Sequence, residues 1–289
     1  MLQNAACDQN DTCEKRGMGS LHRSAASPAQ IEAAEAYERL FVPALFGEWA
    51  PRVVAAAGVG PGDRVLDVAC GTGVAAREAL ARVGANGSVA ALDPNAGMLD
   101  VAIRLGGAID YRQGAAESLP FADGAFDAVL CQFGLMFFSD RPAALREVRR
   151  VLAPGGRFAF AVWNQLETAP AFATLAAVLD EVAGPRAANA LHAPFALGER
   201  RELLELFTAA GLSRVALATQ PGNARFPSAR LLIEAELRGW LPVMGVELDE
   251  AQMQRVLAAA ELRLAPWVEP GGQLTSAMSA HVVTAQEAG

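Results

Sequence analysis

Ten residues, 64–73, constrain this chain more than any others: Arg-Val-Leu-Asp-Val-Ala-Cys-Gly-Thr-Gly. Val65, Leu66 and Val68 form a short apolar, largely β-branched run that suits a strand buried on both faces. Asp67 interrupts the run, and Ala69 and Cys70 lead into Gly71 and Gly73. Residues 74–83 then read as a helix, apolar at Val74, Ala75, Leu80 and Val83, with Arg77, Glu78 and Arg82 left for solvent. Strand, glycine turn, helix is the arrangement that brings backbone N–H groups and a helix N-terminus up to a ligand. A buried carboxylate beside such a turn costs free energy unless something pairs with it. Asp67 therefore marks either local capping of a tight turn or a nucleoside-cofactor site.

Composition narrows the classes. The 289 residues are 52% hydrophobic, enough for a substantial core in one large α/β domain with insertions or in two small ones. No apolar run approaches the ~18 residues of a membrane span, and no basic-then-apolar leader opens the sequence, so neither a span nor a secretory signal is expected. A formal net charge of −8 argues against a nucleic-acid partner or an anionic membrane surface. Lys15 is the only lysine, which removes Schiff-base chemistry from the folded region. Cys7 and Cys13 lie in a polar leader, Cys70 in the glycine turn and Cys131 in an apolar run. No Cys/His spacing suits zinc, so no metal is expected, and the expected compartment is the reducing cytoplasm. Cys70 and Cys131 read as small buried residues.

Residues 1–27 lack periodicity and read as a mobile tail. Residues 31–45 read as a helix with Tyr37, Leu40, Phe41 and Leu45 on one face, broken or kinked at Pro43. A second helix, 46–57, ends at Gly58. Together these helices can lie over the glycine turn as a lid, with Tyr37, Phe46 and Trp49 either walling the site or packing on the core. Strands are expected at 89–92, 109–113, 126–132 and 157–163, with a helix opened by Asp93-Pro94-Asn95, another over 140–152, and a turn at 154–156. That alternation implies right-handed βαβ crossovers and a doubly wound, mostly parallel α/β sheet.

In such a sheet, ligands sit beyond the carboxyl ends of the strands. Asp67, Asp93, the stretch from Ala115 to Glu117, and Gln132 all border that one crevice. Asp93 lies 20 residues after Gly73, which suits a carboxylate accepting from ribose hydroxyls. It could instead cap the next helix, although Asn95 is available for that. Met98 and Leu99 fall where apolar side chains pack either a base or the core. Gly71 to Ala76 also satisfies the G-x-G-x-x-A form of nicotinamide and flavin proteins. Asp67 discriminates: a carboxylate there repels a pyrophosphate but suits a cofactor bearing an ammonium group.

The run Val65-Leu66-Asp67-Val68-Ala69-Cys70-Gly71-Thr72-Gly73 resembles motif I of class I S-adenosylmethionine-dependent methyltransferases. The likeness continues through Leu92-Asp93-Pro94-Asn95 with Gly97-Met98-Leu99, and Glu117-Ser118-Leu119-Pro120-Phe121 with Phe126-Asp127. It extends to Leu145-Arg146-Glu147-Val148-Arg149-Arg150-Val151-Leu152-Ala153-Pro154-Gly155-Gly156. It is similar to the ubiquinone/menaquinone-biosynthesis-like branch, which acts on small molecules, and it covers roughly residues 60–163. The resemblance implies a seven-stranded Rossmann-like sheet and S-adenosylmethionine as cofactor. It implies that Gly71, Thr72 and Gly73 approach the methionine part, Asp67 orients its amino group and Asp93 holds the ribose. Ala115 and Ala116 would flank the adenine, and Gln132 would lie near the methionine. Where the family carries Asp or Asn to bind the adenine amine, this chain has Ala115. Backbone groups of Ala116, water or Glu117 must substitute, or a charge-assisted hydrogen bond of about 1.5–3 kcal/mol is lost.

The expected order is tail 1–27, lid helices 28–60, cofactor-binding core 61–163, cap insertion 164–198, core continued 199–220, cap helices 221–273 and last core strand 274–289. Within it, helices are expected at 172–182, 199–210, 229–241 and 249–264. A loop is expected at 184–197, and strands at 212–219 and 276–284, the last being the antiparallel seventh by resemblance. Tyr37, Phe133, Trp163 and His192 are the candidate substrate pocket, with Phe137 and Phe138 as wall or core. His192 is a candidate base or a plain loop histidine, while His281, mid-strand, reads as packing. The sulfonium is already activated, so in-line placement of a nucleophile about 3 Å away supplies most of the catalysis, and no residue is singled out as catalytic. The expected function is methyl transfer to a small, apolar or aromatic molecule. An NAD(P)-linked oxidoreductase and a non-catalytic cofactor-binding protein are the alternatives.

Overall fold

A computed structural model describes residues 24–286 except Ser213. Cys7, Cys13, His22 and most of the expected tail lie outside the described residues.

Seven strands form one sheet in the order β3-β2-β1-β4-β5-β9-β6. They are β1 (Arg64–Val68), β2 (Ser88–Asp93), β3 (Ile109–Gln113), β4 (Phe126–Gln132), β5 (Leu152–Trp163), β6 (Ala216–Gln220) and β9 (Ala280–Gln286). Strands β1 to β5 pair in parallel, and β9 runs antiparallel between β5 and β6. Val65, Leu66, Val129, Leu130 and Phe160 are fully buried, as a sheet covered on both faces requires. Covering one or other face are α3 (Val74–Val83), α4 (Ala96–Arg104), α5 (Arg141–Val151) and α8 (Arg200–Ala209). This is the doubly wound, Rossmann-like fold expected.

The structure corrects five local expectations. Pro43 does not break its helix, which runs on to Phe46. After α1 (Pro28–Ala36) the chain widens into a π-helical segment, Tyr37–Phe46, whose longer-range bonding absorbs the missing N–H; Gly47 N–H reaches back to the Val42 carbonyl at 2.7 Å. The next helix, α2 (Ala50–Ala56), is correspondingly shorter than expected. The 154–156 turn is looped out inside β5, where pairing jumps from Phe126↔Leu152 to Ala128↔Arg157.

The expected loop at 184–197 contains α7 (Pro185–His192). Pro185 opens it, and Ala187, Ala188, Ala190 and Leu191 are good or tolerable helix formers that bury a face. The expected single strand at 276–284 is two. β8 (Leu274–Ala277) pairs with β7 (Asn223–Phe226) in a separate ribbon, and only β9 enters the main sheet.

The remaining helices are α6 (Pro170–Ala183), α9 (Ala229–Ala235), a π-helical stretch Glu236–Trp240, the single turn α10 (Leu241–Val243) and α11 (Glu250–Leu264). They form a layer in which α11 packs on α6 and α9, and α6 on α7. His281 is buried in β9, with Nδ1 2.9 Å from Thr219 Oγ1 and Nε2 2.9 Å from the Gly198 carbonyl, so both ring nitrogens are engaged in holding the sheet edge. No helix among the described residues is long and apolar enough to cross a membrane.

Candidate cofactor crevice

Strand register places the site. Asp67 pairs with Ala91 on one side and Leu130 on the other. Side chains alternate faces along a strand. Asp93 (two beyond Ala91), Gln132 (two beyond Leu130) and Trp163 (two beyond Ala161, the partner of Gln132) therefore share the face of Asp67. Tyr111, the partner of Ala91, is on it too.

The backbone is strained where these strands end. Ala69 after β1 and Phe133 after β4 both adopt φ of +57°, which side chains other than glycine seldom accept. Gly73, at φ +84°, caps α3, and a Cβ there would lie 2.7 Å from the Tyr111 hydroxyl. Thus the second glycine is dictated both by conformation and by its neighbour.

Asp93 is buried and ties two segments together. Its Oδ2 accepts the Gly71 N–H at 2.9 Å and its Oδ1 accepts the Asn95 N–H at 2.8 Å. Burial raises its pKa, and these two amides oppose the rise. Helix α4 is capped by Asn95, whose Oδ1 accepts from Gly97 and Met98. Asp93 is thereby left with lone pairs free for further donors.

Asp67 is 1% exposed, and neither carboxylate oxygen has a hydrogen bond. Burial pushes its pKa up to about 7; a loose approach by the Ala76 N–H lowers it, the Asp93 charge raises it again, and Arg77 pulls it down. Nearby, Gln132 donates through Nε2 to the Phe46 carbonyl at 3.2 Å, while its Oε1 is sealed without a partner. Three buried acceptor atoms on one sheet face thus lack donors. Natural proteins seldom leave such atoms unpaired, and a donor-rich, cationic group is the chemistry that would satisfy all three.

The N-terminal segment closes over the turn. Glu38 accepts the Thr72 hydroxyl at 2.5 Å and pairs with Arg77 at 3.0 Å, while Arg77 also donates to the Thr72 carbonyl. Sequence reasoning missed Glu38, since nothing local marks a residue 34 positions before its partner. Tyr37 faces Gly71, where an added Cβ would lie 3.9 Å from its ring and hydroxyl. Burial raises the Tyr37 pKa strongly, and the Asp93, Glu38 and Asp67 charges add to it.

From Tyr37 an aromatic wall runs through Phe46 (5.2 Å) to Phe133 (5.6 Å) and Trp163 (6.1 Å), the last two stacked at 3.7 Å. Trp49 is fully buried behind it. Three of the four expected pocket residues are thus brought together. His192 is not among them: it lies exposed at the end of α7, outside the stack, because the helix formed there buries its alanine face and turns His192 outward. Phe137 is half-exposed at the carboxyl edge. Ala115 is exposed and Ala116 buried, while Met98 is half-buried and Leu99 belongs to the core. Glu117 is turned away to Ser139 and Asp140 of the loop after β4, so it does not stand in for the missing acid at Ala115. Among the described residues no cluster of His, Cys, Asp or Glu is arranged to hold a metal.

Fold and crevice define an α/β protein of the Rossmann-like kind whose orphaned buried acceptors gather near the carboxyl ends of β1 and β4, beside Asp93 at the end of β2. Residues 66–160 match the methyltransferase domain family. Over 117 residues the chain is 50% identical to the ubiquinone/menaquinone biosynthesis C-methyltransferase of Stenotrophomonas maltophilia, covering 38% of this chain and 46% of that one. Over 116 residues it is 46% identical to the demethylmenaquinone methyltransferase of Renibacterium salmoninarum, covering 40% and 48%. The chain spans about half the length of these curated relatives. Among solved structures, a putative methyltransferase from an antibiotic biosynthesis pathway of Anabaena variabilis superposes with a TM-score of 0.59 at 14% identity, over 82% of this chain and 96% of that one. The phosphoethanolamine N-methyltransferase 2 of Haemonchus contortus, in complex with S-adenosyl-L-methionine, gives 0.56 at 15% identity, over 90% and 57%. These likenesses establish the fold.

Proposed function

We propose that this chain is an S-adenosylmethionine-dependent methyltransferase acting on a small apolar or aromatic molecule in the cytoplasm. The observation that carries the reading is the set of three orphaned acceptors, Asp67 Oδ1 and Oδ2 and Gln132 Oε1, on the face that also holds Asp93. An α-ammonium group supplies the donors and the positive charge that this set lacks. S-adenosylmethionine, when bound, supplies an activated methyl group on a sulfonium.

The residues of the chain do the rest. Asp67 and Gln132 receive the ammonium, and the turn from Gly71 to Gly73 lets backbone come close. Asp93, with lone pairs to spare, receives the ribose hydroxyls. Ala115, Ala116 and Met98 border the base, held there by packing and backbone groups in the absence of an acid at Ala115. Tyr37 and Phe46, on the segment locked by Glu38, cover the turn as a lid and keep water out. The wall of Tyr37, Phe133 and Trp163 suits a flat or apolar acceptor, and the layer built from residues 164–198 and 221–273 caps it. Holding the acceptor in line is the main catalytic demand. The curated relatives named above act on quinone-pathway molecules by their names, which makes hydroxylated aromatics the first acceptors to try. The test is a product-mass screen with isotopically methyl-labelled S-adenosylmethionine against phenols, hydroquinones, amines and thiols. A labelled product with stoichiometric S-adenosylhomocysteine supports the reading, and cofactor binding without any product across the panel contradicts it.

A further inference from the structure

Among the described residues, the α- and π-helices hold two interior glycines, Gly97 in α4 and Gly239 in the π-helical stretch Glu236–Trp240. Glycine costs a helix stability relative to alanine, so each calls for a reason. Gly97 has one in packing, since an added Cβ would lie 2.5 Å from the carbonyl oxygen of Gln30 in α1. Gly239 has none of that kind. It does not take a positive φ, and a Cβ there would meet only the ring of Phe41, at an ordinary 3.9 Å. Backbone and packing would thus accept alanine at this position. What the missing side chain leaves is open space beside Phe41.

Contacts on two sides fix where that space lies. Phe41 is 6.0 Å from Tyr37, and Tyr37 faces the glycine turn, 3.9 Å from a Cβ built on Gly71. On the other side Trp240, the residue after Gly239, lies 5.4 Å from the ring of Phe137 and is held by its Nε1, which donates to the Ala190 carbonyl at 2.8 Å. Phe137 ends the short helical turn Leu135–Phe137, which follows Phe133, the ring stacked on Trp163. The cap stretch therefore touches, through two separate contacts, the two chain segments that carry the aromatic wall of the proposed acceptor site. The surface between them is not closed: Gly239 is exposed, Phe137 is 49% exposed, and Phe41 and Trp240 are half-buried. Arg238, the basic side chain of the stretch, pairs with Glu250. Aromatic carbon and glycine backbone border the opening.

We propose that Gly239 sets which acceptors this chain takes. The space beside it, between Phe41 and the Phe137–Trp240 pair, receives an uncharged apolar substituent, alkyl or aryl, of an aromatic acceptor whose reacting group lies against Tyr37 and Phe133. This rests on the methyltransferase reading. Moving such a substituent from water onto these rings is favourable in proportion to the apolar area covered. A carboxylate or phosphate would lose its water there and find no partner on the rings. A side chain longer than alanine at residue 239 would occupy the same space. Gly239 thus weakens its own helix and widens the range of acceptors.

The test titrates the full chain, loaded with S-adenosylhomocysteine, with phenol and with 4-pentylphenol in a calorimeter. The wild type should bind 4-pentylphenol more tightly by about tenfold or more, less than full burial of a pentyl chain would give. In Gly239→Leu that preference should fall to about twofold or less while the affinity for phenol stays as it was, and Gly239→Ala should fall between the two. The thermal melt of Gly239→Ala should match or exceed that of the wild type, since alanine favours a helix, so its narrower preference is not the mark of a weakened fold. A wild type without the preference, a Gly239→Leu protein that keeps it, or an equal loss of affinity for both phenols would overturn the proposal. S-adenosylhomocysteine affinity, measured on every sample, should be unchanged by these substitutions. Its absence in the wild type strikes at the methyltransferase reading, whereas normal cofactor affinity with a preference indifferent to residue 239 strikes at Gly239 alone.

Discussion

Asp93 Oδ2 accepts the backbone N–H of Gly71 at 2.9 Å, so the carboxylate that ends β2 also fixes the turn that follows β1. Substituting Asp93→Asn puts an amide where that acceptor stands and leaves a buried N–H unpaired, at about 1–3 kcal/mol. The melting temperature should fall by several degrees, and the dissociation constant for S-adenosylhomocysteine should rise by about tenfold or more. Circular dichroism melts and calorimetric titration measure the two effects. Unchanged affinity would remove Asp93 from the ribose role.

The pKa of about 7 at Asp67 makes cofactor binding proton-linked. In the free protein near pH 6.5 this carboxyl is largely protonated, and an arriving ammonium favours the ionised form. Binding should therefore release up to one proton at that pH and almost none near pH 9. Calorimetry in two buffers of different ionisation enthalpy reads this directly, and Asp67→Asn should abolish it. The stability effect has a definite sign. An acid whose pKa is raised on folding holds its proton more tightly in the native state, so stability falls as pH rises from the ordinary Asp value towards about 7 and then levels. In Asp67→Asn that slope should be shallower.

Gly73 and Tyr111 are coupled. Gly73→Ala forces a methyl group to 2.7 Å from the Tyr111 hydroxyl at φ +84° and should destabilise by about 1–3 kcal/mol. That hydroxyl is sealed without a hydrogen bond of normal geometry, Arg77 making only a loose approach, so Tyr111→Phe should be neutral or stabilising. The double variant should recover part of the loss. A denaturant double-mutant cycle that finds the two substitutions additive would contradict the contact.

Glu38 locks the N-terminal segment to the glycine turn. Glu38→Ala strands the Thr72 hydroxyl and one face of Arg77, and should raise amide hydrogen exchange across residues 70–73 while leaving the exchange of β4 unaltered. Cofactor affinity should weaken with it. Equal exchange in both proteins would mean that the lock is ornamental.

What the sequence disclosed was whatever depends on neighbours in the chain. Val65 to Gly73 spell strand, turn and helix through local apolar spacing and glycine freedom, and Asn95 declares itself the α4 cap by standing beside Asp93. Pairings across distance were illegible. Glu38 meets Arg77 and Tyr111 meets Gly73 only after the sheet has formed. The π-helical course of Tyr37–Phe46 follows from tertiary packing that outweighs what Pro43 signals locally. β8 and β9 read as one strand because the residues between them carry no strong turn chemistry, and only the β7 partner pulls them apart.

In the proposed function the orphaned acceptors of Asp67 and Gln132 form the ammonium end of an S-adenosylmethionine site. Isothermal titration of the full chain with S-adenosylhomocysteine, with NAD and NADP as controls, tests it most directly. One site per chain for S-adenosylhomocysteine is expected, weakened in Asp67→Asn and Asp93→Asn, with no heat from either dinucleotide. Binding of a dinucleotide without S-adenosylhomocysteine, or affinity indifferent to Asp67, would contradict it.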